Sequence, residues 1–210
     1  METGKANSIQ ASTFNIDLSE QYQLCVQLGL KEFSYCIINS STNNVEYFND
    51  FTVNDDIIAI INTDEILKLN FGSSSVIFTN FPCTLVPNEL FKVENSKEIL
   101  ELSAAVYDII KSDPLPEIDA HLVYTIPSVI SDIVFTFFPN ATQKAEQSYL
   151  IKQFSKFENK NQNAYLYISE GILNITAFKN GKLLFNNGFS FDTKEDMLYF
   201  TLFAFEQLKL

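Results

Sequence analysis

Apolar and polar positions alternate along Tyr22 to Leu28 (YQLCVQL), break at Gly29 and resume over Phe33 to Asn39 (FSYCIIN). A period of two predicts half-buried strands. Asn43-Asn44 marks the next turn, and Val45 to Val53 reads as a third strand. The same layout returns later in the chain. Tyr165 to Ser169 alternates and stops at Glu170-Gly171, and two further runs flank Asn180-Gly181. Asn-Gly between apolar runs is the strongest short signal for a two-residue hairpin. Each region therefore predicts a three-stranded antiparallel meander.

Helical periods fill the intervals. Asn54-Asp55 offers an N-cap for a helix carrying Ile57, Ile58, Ile61, Ile66 and Leu67, ended by Gly72 and three serines. Val76 to Thr79 and Cys83 to Val86 read as strands. Pro87 to Phe91 reads as a helix start with proline in its first turn, and a second helical period runs from Ser96 through Ile110. Ala120 to Ile126 reads as a strand, then Pro127 to Phe138 and Ala145 to Phe157 as helices. Asp192 caps a final helix, with Glu195 completing a capping box. That helix (DMLYFTLFAFEQL) is apolar nearly all round, which predicts burial on more than one side. The order gives a mixed α/β fold in which a meander followed by helix and strand units occurs twice. The expected organisation is a loose tail over residues 1–15, a first lobe over 16–142, and a second lobe over 143–210 that is short at its C-terminal end.

Composition narrows the classes of function. The 210 residues are 46% hydrophobic, enough for a sizeable core, and Phe-rich, with 20 Phe and no Trp. The formal net charge is −12, which opposes binding to nucleic acid or an anionic membrane. All cationic side chains are lysine, so the bidentate phosphate grip of arginine is absent. Cys25, Cys36 and Cys83 lie in strand-like runs without CxxC spacing and read as reduced, buried thiols of a cytoplasmic protein. The N-terminus has no apolar stretch of a signal peptide, and no run reaches the ~20 apolar residues of a membrane span.

Four segments carry a resemblance: CTLVPNELF (83–91), VYTIP (123–127), LYISEGILNITAFKNGKLLFNNGFSF (166–191) and DMLYFTLFAFEQL (196–208). They resemble an uncharacterised bacterial family, domain-of-unknown-function family 3822. The second meander is also similar to the phosphate-binding hairpin of bacterial actin-like proteins of pilus assembly and cell division. The resemblance implies an actin-like ATPase (ribonuclease H-like) fold of two lobes with no established activity. Members of the family continue past the last helix with a further strand and helix, so the second lobe is expected to be incomplete.

In active proteins of that fold, two Asp-bearing glycine turns face each other and hold magnesium and phosphate. The resemblance places Gln27 at the first Asp position, Gly29 in the first turn and Leu30 at the hydroxyl position. It places Tyr167 at the second Asp position, Ser169 at a glycine position, Glu170 and Gly171 in the second turn, and Ile172 at the hydroxyl position. Magnesium requires hard anionic oxygens, which neither Gln nor Tyr supplies. Gln27, Gly29, Ser169, Glu170 and Gly171 are thus the candidate remnants of a cofactor site, with no catalytic or metal residue assigned.

Other constellations are thin. His121 is the sole histidine, so a multi-histidine metal site is excluded; in a strand-like run it reads as structural. Ser128 lacks the glycine-flanked elbow of hydrolases. Asp113, Glu117 and Asp119 flank prolines and read as a solvated loop. The expectation is a non-enzymatic interaction protein without a cofactor, engaging a protein partner. The alternative is an ATP–magnesium-binding ATPase or kinase-like protein using Glu170, Ser169 or Lys31.

Overall fold

The computed structural model describes residues 6–52, 56–157, 162–169 and 171–209. In chain order the elements are β1 (Ala6–Gln10), β2 (Tyr22–Leu28), β3 (Glu32–Asn39), β4 (Val45–Thr52), α1 (Ile57–Thr63), β5 (Ser73–Phe78), β6 (Cys83–Pro87), α2 (Ser96–Glu101), β7 (Ile109–Leu115), β8 (Ala120–Ile126), α3 (Ser128–Phe137), β9 (Thr142–Ala145), α4 (Glu146–Ser155), β10 (Gln162–Ser169), β11 (Ile172–Lys179), β12 (Lys182–Ser190) and α5 (Lys194–Leu208). They divide into two compact units. The first comprises Met1–Leu85, Lys92–Asp113 and Leu122–Glu146; the second comprises Val86–Phe91, Pro114–His121 and Gln147–Leu210.

The first unit is built on a six-stranded sheet in the order β1-β4-β3-β2-β5-β9. The meander β2–β4 is antiparallel, whereas β5 joins β2, and β9 joins β5, in parallel. Alternation buries Leu24, Val26 and Leu28 of β2 beside Phe33, Tyr35 and Ile37 of β3. Tyr35 stacks on Tyr47 at 5.8 Å and donates its hydroxyl to Asp64 at 2.7 Å. Burial, and then that carboxylate, push the Tyr35 hydroxyl well above its ordinary range. Strand β8 lies between β6 and β7 in a separate small sheet.

The second unit carries the meander β10-β11-β12, antiparallel throughout. Strand β11 is buried from Leu173 to Phe178, on both of its faces. On one face Leu173 and Ile175 pack with Ala204, Met197 and Phe200 of α5 and with Phe185 and Phe189 of β12. On the other face Phe154 of α4 stacks on Tyr165 at 4.6 Å, and Tyr165 meets Phe178 edge-on.

Both meanders fall where the alternation places them, but several local expectations do not. Part of the expected loose tail is strand β1, paired with β4 from Ala6↔Phe51 to Gln10↔Tyr47. Its Ile9 remains exposed, so backbone pairing at a sheet edge, not apolar burial, recruits it. The expected caps Asn54 and Asp55 lie outside the described residues; Asp56 caps α1 by accepting from Ile58 N–H at 2.9 Å. Helix α1 stops at Thr63 because Asp64 accepts from Ile66 N–H in a side-chain turn, which leaves Ile66 and Leu67 beyond the helix. The three serines begin β5 in register with β2 rather than end a helix.

Pro87 to Phe91 makes one turn closed on the Pro87 carbonyl, and extended backbone at Lys92 prevents its continuation. Helix α2 ends at Glu101, and the helix expected through Ile110 gives way to β7. Thr125 of β8 draws that segment in by bonding the Tyr107 and Ile109 carbonyls. Strand β9, only four residues of mixed polarity, carries no period to read. The capping box of α5 is Thr193 with Asp196, one residue beyond the pair expected. Helix α5 is also not enclosed: Leu198, Tyr199, Leu202 and Phe203 are 58%, 62%, 57% and 45% exposed.

Candidate functional site

Strand register assembles a polar cluster around the first glycine turn. Leu28 aligns with Phe78 and Phe78 with Ala145, so the residues that follow, Gly29, Thr79 and Glu146, meet at the C-terminal ends of β2, β5 and β9. In sheets containing parallel strands, this end is where ligands are commonly received. Glu32 is added by the hairpin, whose closing bond runs from Gly29 N–H to the Glu32 carbonyl at 2.8 Å.

Thr79 is the hub of the cluster and is fully buried. Its Oγ1 accepts from Gln27 Nε2 at 3.4 Å and faces Glu146 Oε2 at 3.1 Å and Glu32 Oε2 at 3.4 Å. One hydroxyl proton serves one carboxylate at a time, and the shorter contact is to Glu146. Asn80 Nδ2 donates to Glu32 Oε1. Gly29 suits a close approach: a Cβ there would lie 3.0 Å from Thr79 Cγ2 and 3.2 Å from the Thr79 carbonyl, so the neighbours would have to give by a few tenths of an ångström. Lys31 is exposed in the same turn. Nearby, burial pushes the Cys83 thiol up to about 12, with the Glu146 charge adding to the effect.

The second turn is simpler. Ser169 pairs with Ile172 at the end of the β10–β11 hairpin, and Tyr167 pairs with Asn174. Gly171 has φ +75°, a conformation that side-chain-bearing residues rarely adopt, and its carbonyl accepts from Phe191 N–H at 2.8 Å. Glu170 lies outside the described residues. Gln27 and Gly29 belong to the first unit, and Ser169 and Gly171 to the second.

The proline-flanked acids are not one solvated loop. Asp113 is buried in β7, where it accepts from Ala145 N–H at 2.9 Å; burial, and then the Asp113 charge, push the Tyr124 phenol upward. Glu117 faces Lys152 at 3.9 Å, and Asp119 accepts from Asn88 Nδ2 at 2.5 Å. Among the described residues no group of three or more His, Cys, Asp or Glu is arranged to hold a metal ion.

His121 stacks on Phe91 with ring centroids 3.8 Å apart, and its Nδ1 lies 2.9 Å from Asn88 Oδ1. Because the Asn88 amide nitrogen serves Asp119, its oxygen faces the imidazole, and Nδ1 carries the proton. Glu32, Thr79, Asn80 and Glu146 are not among the residues the sequence singles out, and the fold brings them together. A usable signal existed for two of them: Thr79-Asn80 is the polar step at the end of an apolar strand. Glu146 needed the β5–β9 pairing.

This architecture is an actin-like ATPase fold. It matches a Bacteroides thetaiotaomicron protein with an actin-like ATPase fold and unknown function at TM-score 0.85 and 19% identity, over 95% of this chain and 81% of that one. The chain belongs to the family described as Protein of unknown function (DUF3822), which it matches over residues 11–210. Weaker likenesses are to the cytoplasmic domain of EpsL, an inner membrane component of the Vibrio cholerae type II secretion system (TM-score 0.48, 9% identity, 80% of this chain and 70% of that one), and to an Aquifex aeolicus Ppx/GppA family member (TM-score 0.40, 9% identity, 90% and 61%). No curated protein matches the sequence. No helix among the described residues is long and apolar enough to cross a membrane.

Proposed function

We propose that this protein is a non-catalytic interaction module on an actin-like scaffold. The observation that carries the reading is the outward side of α5, where Leu198, Tyr199, Leu202 and Phe203 stand exposed on one helix. Four large apolar side chains grouped in this way are the signature of a docking surface rather than of scattered surface residues. Leu166 and Ile168 of β10 add to it. They align with Ile175 and Leu173, hence lie on the α5 face of the sheet, and both are exposed. With a net charge of −12 and Glu195 and Glu206 on the helix, the complementary partner presents an apolar face rimmed by basic side chains.

The first turn supports the non-catalytic half of the reading. The Gly29 amide is spent on closing the hairpin, and Thr79 packs directly against Gly29. Two carboxylates flank the hydroxyl, which repels an unaccompanied phosphate. The alternative, nucleotide binding, draws on Gln27, Thr79 and Asn80 as polar groups at strand ends.

Two measurements separate these readings. Light scattering and apolar-dye binding on the purified chain should reveal an associating or dye-binding surface that Leu198→Glu with Leu202→Glu removes. A monomer that binds no dye overturns the interaction reading. Calorimetry with ATP and magnesium should give no heat of binding at millimolar nucleotide; saturable binding transfers support to the nucleotide reading.

A further inference from the structure

Cys25 and Cys36 stand directly opposite each other on β2 and β3. Both are free thiols and both are half-buried. Their pairing phase follows from the hairpin closure. Counting two residues at a time from Gly29 with Glu32 reaches Gln27 with Ser34, and then Cys25 with Cys36. The bond from Ser40 N–H to the Gln21 carbonyl, at 3.1 Å, is in phase with this count. The cysteines therefore occupy a pair that exchanges backbone hydrogen bonds.

Such pairs hold their Cα atoms about 5.5 Å apart, inside the roughly 4.4–6.8 Å range that a disulfide spans. Their Cβ atoms, about 4.5–5.5 Å apart, lie at or beyond the wide end of what the bridge prefers. A disulfide closes here without parting the strands but under strain, the condition under which it is readily reduced again. The two sulfurs are chemically unlike. The neighbouring Cys36 thiol, and then Ser75, which is in register with Cys25 on the adjoining β5, lower the Cys25 thiol, while Cys25 and burial raise that of Cys36. Cys25 is the more readily ionised, hence the attacking group, and Cys36 is poised behind it.

We propose that Cys25 and Cys36 form a reversible thiol–disulfide site that exchanges with small-molecule disulfides. The Cys25 thiolate attacks one sulfur of the small disulfide, forming a mixed disulfide and expelling one thiolate. The Cys36 thiol then loses its proton to water and attacks the Cys25 sulfur. The Cys25–Cys36 bond forms as the second small thiolate leaves. The protein gives up two electrons and two protons, and the small disulfide is reduced to two thiols.

The test treats the folded, reduced full chain with 5,5′-dithiobis(2-nitrobenzoate), followed by absorbance and intact mass. The wild type should release about two thiolates per chain through this site, finish about 2 Da lighter without an adduct, and yield a linked Cys25–Cys36 peptide. Cys36→Ser should stop at a stable adduct on Cys25. Cys83→Ser should behave as the wild type. A persistent Cys25 adduct in the wild type, a bridge involving Cys83, or no reaction at Cys25 overturns the proposal, and the wild-type mass alone decides it should Cys36→Ser not fold.

Discussion

The two meanders carry the same signals of alternation and glycine turns, yet they are finished in different ways. In the first, β1 and β5 cover the outer edges of β4 and β2, so the three hairpin strands are interior to a six-stranded sheet. In the second, β10 and β12 are the outer strands of a three-stranded sheet, and its central strand is buried on both faces by helices and neighbouring aromatics. One meander is stabilised in the plane of its sheet; the other is stabilised above and below it. Hairpin chemistry fixes the local ribbon, whereas neighbours decide which surface remains to be used.

The largest effects should come from the buried aromatic at the heart of each meander. Phe33→Ala in the first and Phe178→Ala in the second should each cost about 3–5 kcal/mol, seen as a fall in the urea midpoint. A cost below about 1 kcal/mol at either one breaks the claim that both ribbons depend on packing.

Next comes the edge that only the first meander has covered. A Cβ at Gly72 would lie 2.3 Å from the Glu20 carbonyl, a backbone atom that cannot swing away. Gly72→Ala should displace the entry to β5 at a cost of about 3 kcal/mol, and faster amide exchange in β2 should accompany it.

A smaller loss is expected from the helix that covers one face of the second meander. Thr193→Ala removes the N-cap of α5 and should cost about 1 kcal/mol, measured by thermal unfolding. The side-chain and backbone bonds from Thr193, then the backbone of Asp192, hold the Asp196 carboxyl below its ordinary value of 3.8. Its contribution is therefore present above about pH 4 and is lost as pH falls through the lowered value. Circular dichroism of the wild type and Asp196→Asn should converge below that point.

The smallest change should come at the uncovered edge. Leu166→Lys and Ile168→Lys should shift stability by no more than about 0.5 kcal/mol, because both side chains are already exposed. A large loss there would mean that β10 is not a free edge in solution.

Much of the fold was legible because alternation is a local property. Tyr22–Leu28 and Ala120–Ile126 coincide with strands β2 and β8 as read. Short elements were not legible. Thr142–Ala145 and Ala6–Gln10 form strands because a partner offers backbone groups, a fact no window of their own residues contains. Around the first turn, Gly29 was legible as a turn glycine, and Gln27 was singled out only by the family resemblance. Thr79 and Glu146 were not legible, because 67 positions separate them and only parallel pairing brings their side chains to 3.1 Å.

The sequence alone determined the hairpins, the positions of the glycine turns and the absence of arginine, since each is written in adjacent residues or in composition. Tertiary structure decided that Thr79 and two glutamates crowd the first turn, that Cys25 faces Cys36, and that one side of α5 stays bare. These depend on strand register and on which faces find a neighbour, and both are fixed only when distant segments compete for the same surface.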